Sequence, residues 1–362
     1  MRILYCGDLW DGGTCRMRME ALQQLGSSVF AVDCTCPPHG PLRFAYRVGN
    51  KIGWPLDTVG ANRQLLDLAQ QYMPDIAWID KGLTIRYNTL LRLRQSVPNI
   101  RLVHYSPDDM YGKHNQSRSY LSGIPVYDLH VTTKSYNVAE LYNMGARAVL
   151  FVNNAFCSGV HRPMSVSGTE RAAFGGPVGF IGAFESYRAE AIWFLVCNGI
   201  QVRVWGAVRG GGWLKWGASH VHSNLRIESR ALFGDEYAKG ICSFDINLCF
   251  LRRLNRDLQT QRSVEIPACG AFMLAERTQE HEALFTENRE VSFFATREEL
   301  LQKCRYYLEH PLERESIALA GRRRCIESDY SYEGHVMRVL ARLADQEAHE
   351  SQAEKHSAAD GP

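Results

Sequence analysis

Short apolar runs alternate with stretches of helical period from one end of the chain to the other. In the first half the runs are RILYCG, SVFAVD, DIAWID, RLVHYS, DLHVTT and RAVLFVN. Between them lie helical stretches, among them Met17 to Gln24, ANRQLLDLAQQY, TLLRLRQS and NVAELYNM. Runs of strand length that are apolar on both faces mark parallel strands covered by helices on either side. Most of the helical stretches stop at Gly, Pro or polar residues, as in QLGSS, YMPD, SVPN and NMGA, where helices are expected to end.

The regularity breaks between Asn153 and Pro177, a segment rich in Gly, Ser and Pro that reads as a linker. A second alternating series follows. It comprises VGFIG, a helix over Arg188 to Asn198, QVRVWG, LRIES, a helix over Asp235 to Cys242, INLCF, a short helix near Val264 to Ala268, AFMLAE and VSFF. Two helices close it, in REELLQKCRYYLEHP and ERESIALAGRRRCIE. The pattern predicts an α/β protein of two Rossmann-like domains with parallel sheets facing each other across a cleft. The domains expected are 1–160 and 178–330, joined by a linker at 161–177. A terminal helix at 331–348 packs back on the first domain in this reading, and 349–362 is a disordered tail. Ligands of such sheets bind at the carboxyl ends of the strands, so functional residues belong on the loops there.

A length of 362 residues agrees with two cores, and the composition, 45% hydrophobic and 22% charged, is that of a globular protein. A net charge of only +2 gives no electrostatic case for nucleic acid or a membrane surface as the main partner, so an anionic ligand must be held locally. The eleven cysteines are odd in number and scattered through apolar runs, which predicts reduced, buried thiols. No signal-peptide core or apolar run of membrane-spanning length is present, which predicts a cytoplasmic protein without a transmembrane segment. Cys34 with Cys36, and His220 with His222, lack further ligands at zinc spacing, so no metal site is expected.

The dinucleotide fingerprint is absent after both first strands, where GDLWDGGT and IGAFESYR stand instead. VRGGGWLKW has three glycines but no P-loop Lys-Ser/Thr and reads as a flexible loop, with Trp213 and Trp216 as candidates to cover a sugar or base. Glu265 is the singular feature. It heads a short helix in RSVEIPACG that Gly270 ends, and a carboxylate there can accept from the two adjacent hydroxyls of a ribose or sugar. Arg262, Ser263 and the free N–H groups of the helix start suit a diphosphate. Equally, Glu265 can simply complement the helix dipole. Glu276, Glu280 and Glu282 read as a solvated turn and helix start.

SVEIPACGAFMLAERTQEHEALF and VSFFATREELLQKCRYYLEHPLERESIALAGRRRCIES resemble the C-terminal half of group 1 glycosyltransferases, in the CgeB-like branch. HYSPDDMYGKHNQSRSYLSGIPVYDLHVTTKSYNVAELYNMGARAVLF resembles the N-terminal half of the same branch. The resemblance implies a GT-B fold and transfer of a sugar from a nucleoside-diphosphate-sugar donor to an acceptor, with no cofactor and no metal. It places Glu265 on the nucleotide ribose and Asp257 at the first position of the family's E-x7-E pattern. Gly182-Ala183 stands where Gly-Arg is common, leaving Arg188, Arg252 or Arg253 to meet the diphosphate. On the acceptor side it points to Asp108, Asp109 and His104, with His114 close by, as candidates to take the acceptor's proton. SPDD is also a good helix start. Gly12, Gly13 and Arg16 fall on the first-domain loop that approaches donor or acceptor in this fold. A nucleotide-sugar epimerase, or a non-catalytic nucleotide-sugar-binding partner, are the alternatives on this scaffold.

Overall fold

A computed structural model of the chain describes residues 1–37, 39–206 and 211–359. It divides into two compact units, one built of Met1–Asn153 with Tyr332–Pro362 and the other of Asn154–Ser331.

The first unit runs β1 (Arg2–Gly7), α1 (Thr14–Gln24), β2 (Ser28–Asp33), α2 (Pro41–Lys51), α3 (Ala61–Tyr72), β3 (Ile76–Asp80), α4 (Tyr87–Ser96), β4 (Arg101–Ser106), α5 (Arg118–Gly123), β5 (Leu129–Thr132), α6 (Asn137–Asn143) and β6 (Val149–Phe151). Its parallel sheet has the order β2-β1-β3-β4-β5-β6. The second unit runs α7 (Gly168–Phe174), β7 (Gly176–Ile181), α8 (Ser186–Cys197), β8 (Val202–Trp205), α9 (Gly212–Ala218), β9 (Leu225–Glu228), α10 (Gly234–Ser243), β10 (Phe244–Cys249), α11 (Arg262–Ala268), β11 (Met273–Glu276), α12 (Gln279–Leu284), β12 (Ser292–Phe294), α13 (Arg297–Glu309) and α14 (Pro311–Glu327). Its parallel sheet has the order β12-β11-β10-β7-β8-β9. The last helix, α15 (Tyr332–Ala359), belongs to the first unit and packs on α1. Helix α15 runs on through 349–359, where a disordered tail was expected, and residues 360–362 lie outside those described.

Strands β3 and β4 are buried almost throughout, as their unbroken apolar runs require. Helix α3 turns Ala61, Leu65, Leu66 and Ala69 inward, the stripe that its helical period prescribes. Strand order reverses between β1 and β3 in the first unit and between β7 and β10 in the second. These reversals are where neighbouring crossovers part and leave room for a ligand at the carboxyl ends.

Three expectations change. The supposed linker contains α7, whose capping box of Ser167 and Glu170 starts it and whose carbonyls at Ala172 and Gly175 accept from buried Arg203 at 3.0 Å. GGGWLKW forms α9 from Gly212, and Trp213 is buried against Phe184 and Phe180, with ring centroids 5.2 and 6.0 Å away; residues 207–210 of that loop lie outside those described. Helix α2, between SVFAVD and ANRQLLDLAQQY, has no counterpart in the sequence reading.

Candidate functional site

In the second unit Gly182 follows β7, and a Cβ there would lie 2.8 Å from the Phe180 ring and 3.1 Å from Arg262 Nη1. Its bareness lets Arg262 cross the strand end, where Nη2 donates to the Phe250 carbonyl at 3.1 Å. Trp213 Nε1 holds the Gly182 carbonyl at 2.9 Å. The next turn leads into α8, capped at Glu185 with no side-chain hydrogen bond. The start of α8 and the loop after β10 enclose a hollow of about 510 Å³, lined by Ala183 to Tyr187 and by Arg252, Arg253 and Leu254. It lies at the strand-order reversal of this unit.

The cations around this hollow differ in availability. Arg188 is buried and committed: Nε and Nη2 donate to the Leu251 carbonyl at 3.0 and 2.6 Å, and Nη1 to the Ala183 carbonyl at 3.0 Å. Burial, and then the neighbouring Arg262 charge, pull its pKa down to about 10. It ties the two loops together from behind rather than facing a ligand. Arg252 and Arg253 are the exposed pair, at 46% and 65% side-chain exposure, held by Glu185 at 3.3 Å and Glu276 at 2.9 Å. Glu276 is not the solvated acid the sequence suggested. It is buried at the end of β11, and it also accepts from the Leu251 N–H at 2.6 Å, so it braces the arginine loop. Asp257 closes that loop, its N–H donating to the Arg252 carbonyl at 3.1 Å.

Helix α11 also departs from expectation at its start. The N–H groups of Ser263, Val264 and Glu265 are spent on the carbonyls of Thr260 and Gln261 at 2.9 to 3.0 Å. Ser263 points into the core, where its hydroxyl accepts from the Thr260 N–H at 3.0 Å and donates to His281 Nε2 at 2.6 Å. His281 Nδ1 donates to the Glu276 carbonyl at 2.6 Å, which fixes that tautomer, and burial brings its pKa down to about 4. Ser263 is thus an internal strut, not a diphosphate ligand.

Glu265 lies on the next face of α11 and is almost fully buried. Its Oε2 accepts from the Tyr237 hydroxyl at 2.6 Å. Burial and then the adjacent carboxylate push that phenol well above its ordinary value. His161 Nδ1 accepts from the Cys157 N–H at 2.9 Å, which leaves Nε2–H directed at Glu265 Oε1, 3.6 Å away. Burial lowers the His161 pKa, with Glu265 opposing it. The Tyr237 hydroxyl holds one oxygen and His161 lies 3.6 Å from the other, so the four lone-pair sites of the carboxylate leave acceptor capacity. Neither Tyr237 nor His161 was singled out in the sequence, because only the fold brings them to α11.

In the first unit the loop after β1 carries Gly12, with φ +82°, and Gly13, the N-cap of α1. Arg16 is half-buried and bound to Glu20 at 2.9 Å. At the same carboxyl edge Lys81 follows β3 with φ +60° and is paired to Asp108, while donating to Asn115 Oδ1 at 3.2 Å. Asp108 is the candidate acid that faces outward. Asp109 is buried and organises the loop, its Oδ1 accepting from the Tyr111 N–H at 3.1 Å and Asn137 Nδ2 at 2.9 Å. His104 is a core residue: its ring lies 4.7 Å from Tyr120 and 5.1 Å from His130, and burial depresses its pKa far below the usual value. Neither is placed to take a proton from a bound acceptor.

Directly behind Lys81, fully buried Arg18 meets Asp80 at 2.7 Å, and Tyr5 donates to the same carboxylate oxygen at 2.6 Å. Tyr105 lies under the guanidinium at 4.1 Å. This cluster anchors α1 on β3 below the loop edge. Among the described residues no group of three or more His, Cys, Asp or Glu side chains is arranged to hold a metal ion.

Residues 188–341, less than half of the chain, match the family model described as "Glycosyl transferase-like". Over nearly the whole chain the fold matches solved structures at low identity. Sucrose-phosphate synthase from Thermosynechococcus elongatus aligns with a TM-score of 0.66 and 13% identity over 96% of this chain and 100% of that one. Anabaena HepE, solved with UDP and glucose, aligns at 0.64 and 11% over 95% and 100%. The fold is GT-B, and residues 188–341 are similar to the glycosyl transferase-like model. A putative UDP-N-acetylglucosamine 2-epimerase from Listeria monocytogenes shares the GT-B architecture at 0.55 and 11% over 96% and 97%. No curated protein matches the chain by sequence. Within this GT-B chain the matched segment takes in α8 from Arg188 onward, the arginine loop and α11, so it covers Glu265, Arg252 and Arg253. No helix among the described residues is long and apolar enough to cross a membrane.

Proposed function

We propose that the protein is a glycosyltransferase of the CgeB-like branch that moves a hexosyl or related residue from a nucleoside-diphosphate-sugar to an acceptor. The observation that carries this reading is the arrangement at the strand reversal of the second unit. A buried carboxylate with spare acceptor capacity, Glu265, lies on the helix that follows an exposed arginine pair and the open start of α8. Glu265 accepts from the ribose hydroxyls. The diphosphate lies against the first-turn N–H groups of α8, which have no intrahelical acceptor, and against Arg252 and Arg253. As the glycosidic bond to the diphosphate breaks, those groups offset the charge growing on the leaving oxygen, and no metal or cofactor is needed for that. Arg188 and Arg262 shape the loops from within. In the first unit Asp108, ion-paired with Lys81, receives the proton of the acceptor hydroxyl as its oxygen bonds to the transferred sugar. The setting is cytoplasmic, in keeping with eleven free cysteines.

Thermal-shift screening against nucleoside diphosphates and their sugars tests the reading, since a ligand that binds only the folded state stabilises it. Stabilisation by one nucleotide and its sugars is expected, and no shift with any member of the panel rejects it. The Listeria relative motivates one alternative, an epimerase. Donor incubated alone then yields an epimerised sugar, whereas a transferase leaves its configuration unchanged.

A further inference from the structure

Helix α2 is turned inside out. Most surface helices bury their apolar stripe. In α2 the one buried residue is Gly49, where a Cβ would lie 2.5 Å from the Trp54 carbonyl, so the helix sets its glycine against the segment that follows it. Phe44 and Val48 within the helix, and Ile52 just after it, are exposed by 71%, 46% and 63%. Four-residue spacing lines them up along the outward side. Arg43, Arg47 and Lys51 each precede one of them by one position and form a parallel cationic stripe. Among the described residues no carboxylate lies within ion-pair distance of these three cations, and no acid occurs in the sequence between Asp33 and Asp57. Trp54, 45% exposed, stands just beyond the helix end.

We propose that α2 is a docking helix for an anionic lipid surface, lying in the interface plane with Phe44, Val48 and Ile52 among the acyl chains and the cations on the headgroup phosphates. Charge complementarity selects this occupant. An apolar stripe beside a cationic one, with an aromatic at its end, is the composition that binds at a bilayer interface. A second copy laid on the same face by two-fold symmetry would set Arg43, Arg47 and Lys51 against themselves. The whole-chain charge of +2 conceals this local excess. The inference stands apart from the assigned reaction.

Co-sedimentation of the full chain with phosphatidylcholine vesicles, with and without phosphatidylglycerol, tests it. Binding is expected on the anionic vesicles, falling with salt, and little on phosphatidylcholine alone. Each of Arg43→Gln, Arg47→Gln and Lys51→Gln weakens partition about fivefold, and Phe44→Ser with Val48→Ser removes it even at low salt. Four of the five side chains are exposed and Arg43 is half-buried, so melting temperature and nucleotide-induced shift serve as folding controls. If the serine pair melts early, the glutamine set carries the test. Wild-type protein left in the supernatant with both vesicle types overturns the proposal. So does equal binding of the variants, or a mass that rises with concentration without lipid and falls back in Phe44→Ser.

Discussion

Glu265→Gln is the perturbation that isolates the proposed ribose contact. The side chain keeps its volume and one acceptor oxygen for Tyr237, but loses its charge and turns an NH2 group toward a donor on the ribose or on His161. A hydrogen bond to a charged group contributes about 1.5–3 kcal/mol, so two ribose hydroxyls would bring about 3–6 kcal/mol. Tyr237 already takes one lone pair at 2.6 Å and His161 lies 3.6 Å from the other oxygen, which reduces the expectation to about 2–4 kcal/mol, or about 30- to 700-fold in affinity. Calorimetric titration is run as a cycle: wild type and Glu265→Gln, each with the preferred nucleoside diphosphate and with its 2′,3′-dideoxy form. The cycle removes any general loosening of the fold, because such damage weakens both ligands alike. A coupling energy near zero refutes the ribose assignment, even if the variant binds poorly.

Three further outcomes follow from other parts of the structure. Asp108→Asn should lower turnover about 10²- to 10⁴-fold while leaving the donor Kd within about twofold of wild type; equal loss in both means Asp108 is only a loop brace. Buried His130 and His281 have pKa values of about 4 in the folded protein, against about 6.5 unfolded. Between pH 6.5 and 4 the unfolded chain therefore takes up protons that the folded one refuses, so stability complete above pH 6.5 declines with acid, by about 2 kcal/mol per residue at pH 5. Urea melts at pH 7 and 5 should show this slope, and His281→Gln should flatten it. Arg18→Met should cost about 3–5 kcal/mol by leaving Asp80 buried and unpaired, and Arg18→Met with Asp80→Asn distinctly less; equal losses in urea unfolding would argue against that pair as the anchor of α1.

The parallel sheets were legible because strands such as IAWID and RLVHYS are buried on both sides and therefore read as continuous apolar runs. The same double burial hid the fate of His104, since every side chain of its strand but the first enters a core. Glu265 was visible as the acid of a short helix ending in Cys269-Gly270, but its partners Tyr237 and His161 come from α10 and the segment before α7. Ser263 and Glu265 lie two positions apart on one helix turn, and sequence spacing did not show that one is spent on His281 in the core while the other meets Tyr237 and His161. Helix α2 escaped notice because its apolar stripe serves no core, so it does not fit the inward pattern by which the other helices were read.

The return of α15 to the first unit has a consequence for biosynthesis. The second unit is contiguous from Asn154 to Ser331, whereas the first lacks α15, the helix that packs on α1, until Tyr332 and its successors have been made. On the ribosome, then, the half synthesised later is the first that can complete its core. The half synthesised first must wait, with Arg18 and its aromatic neighbours uncovered by Tyr332, until the final helix emerges.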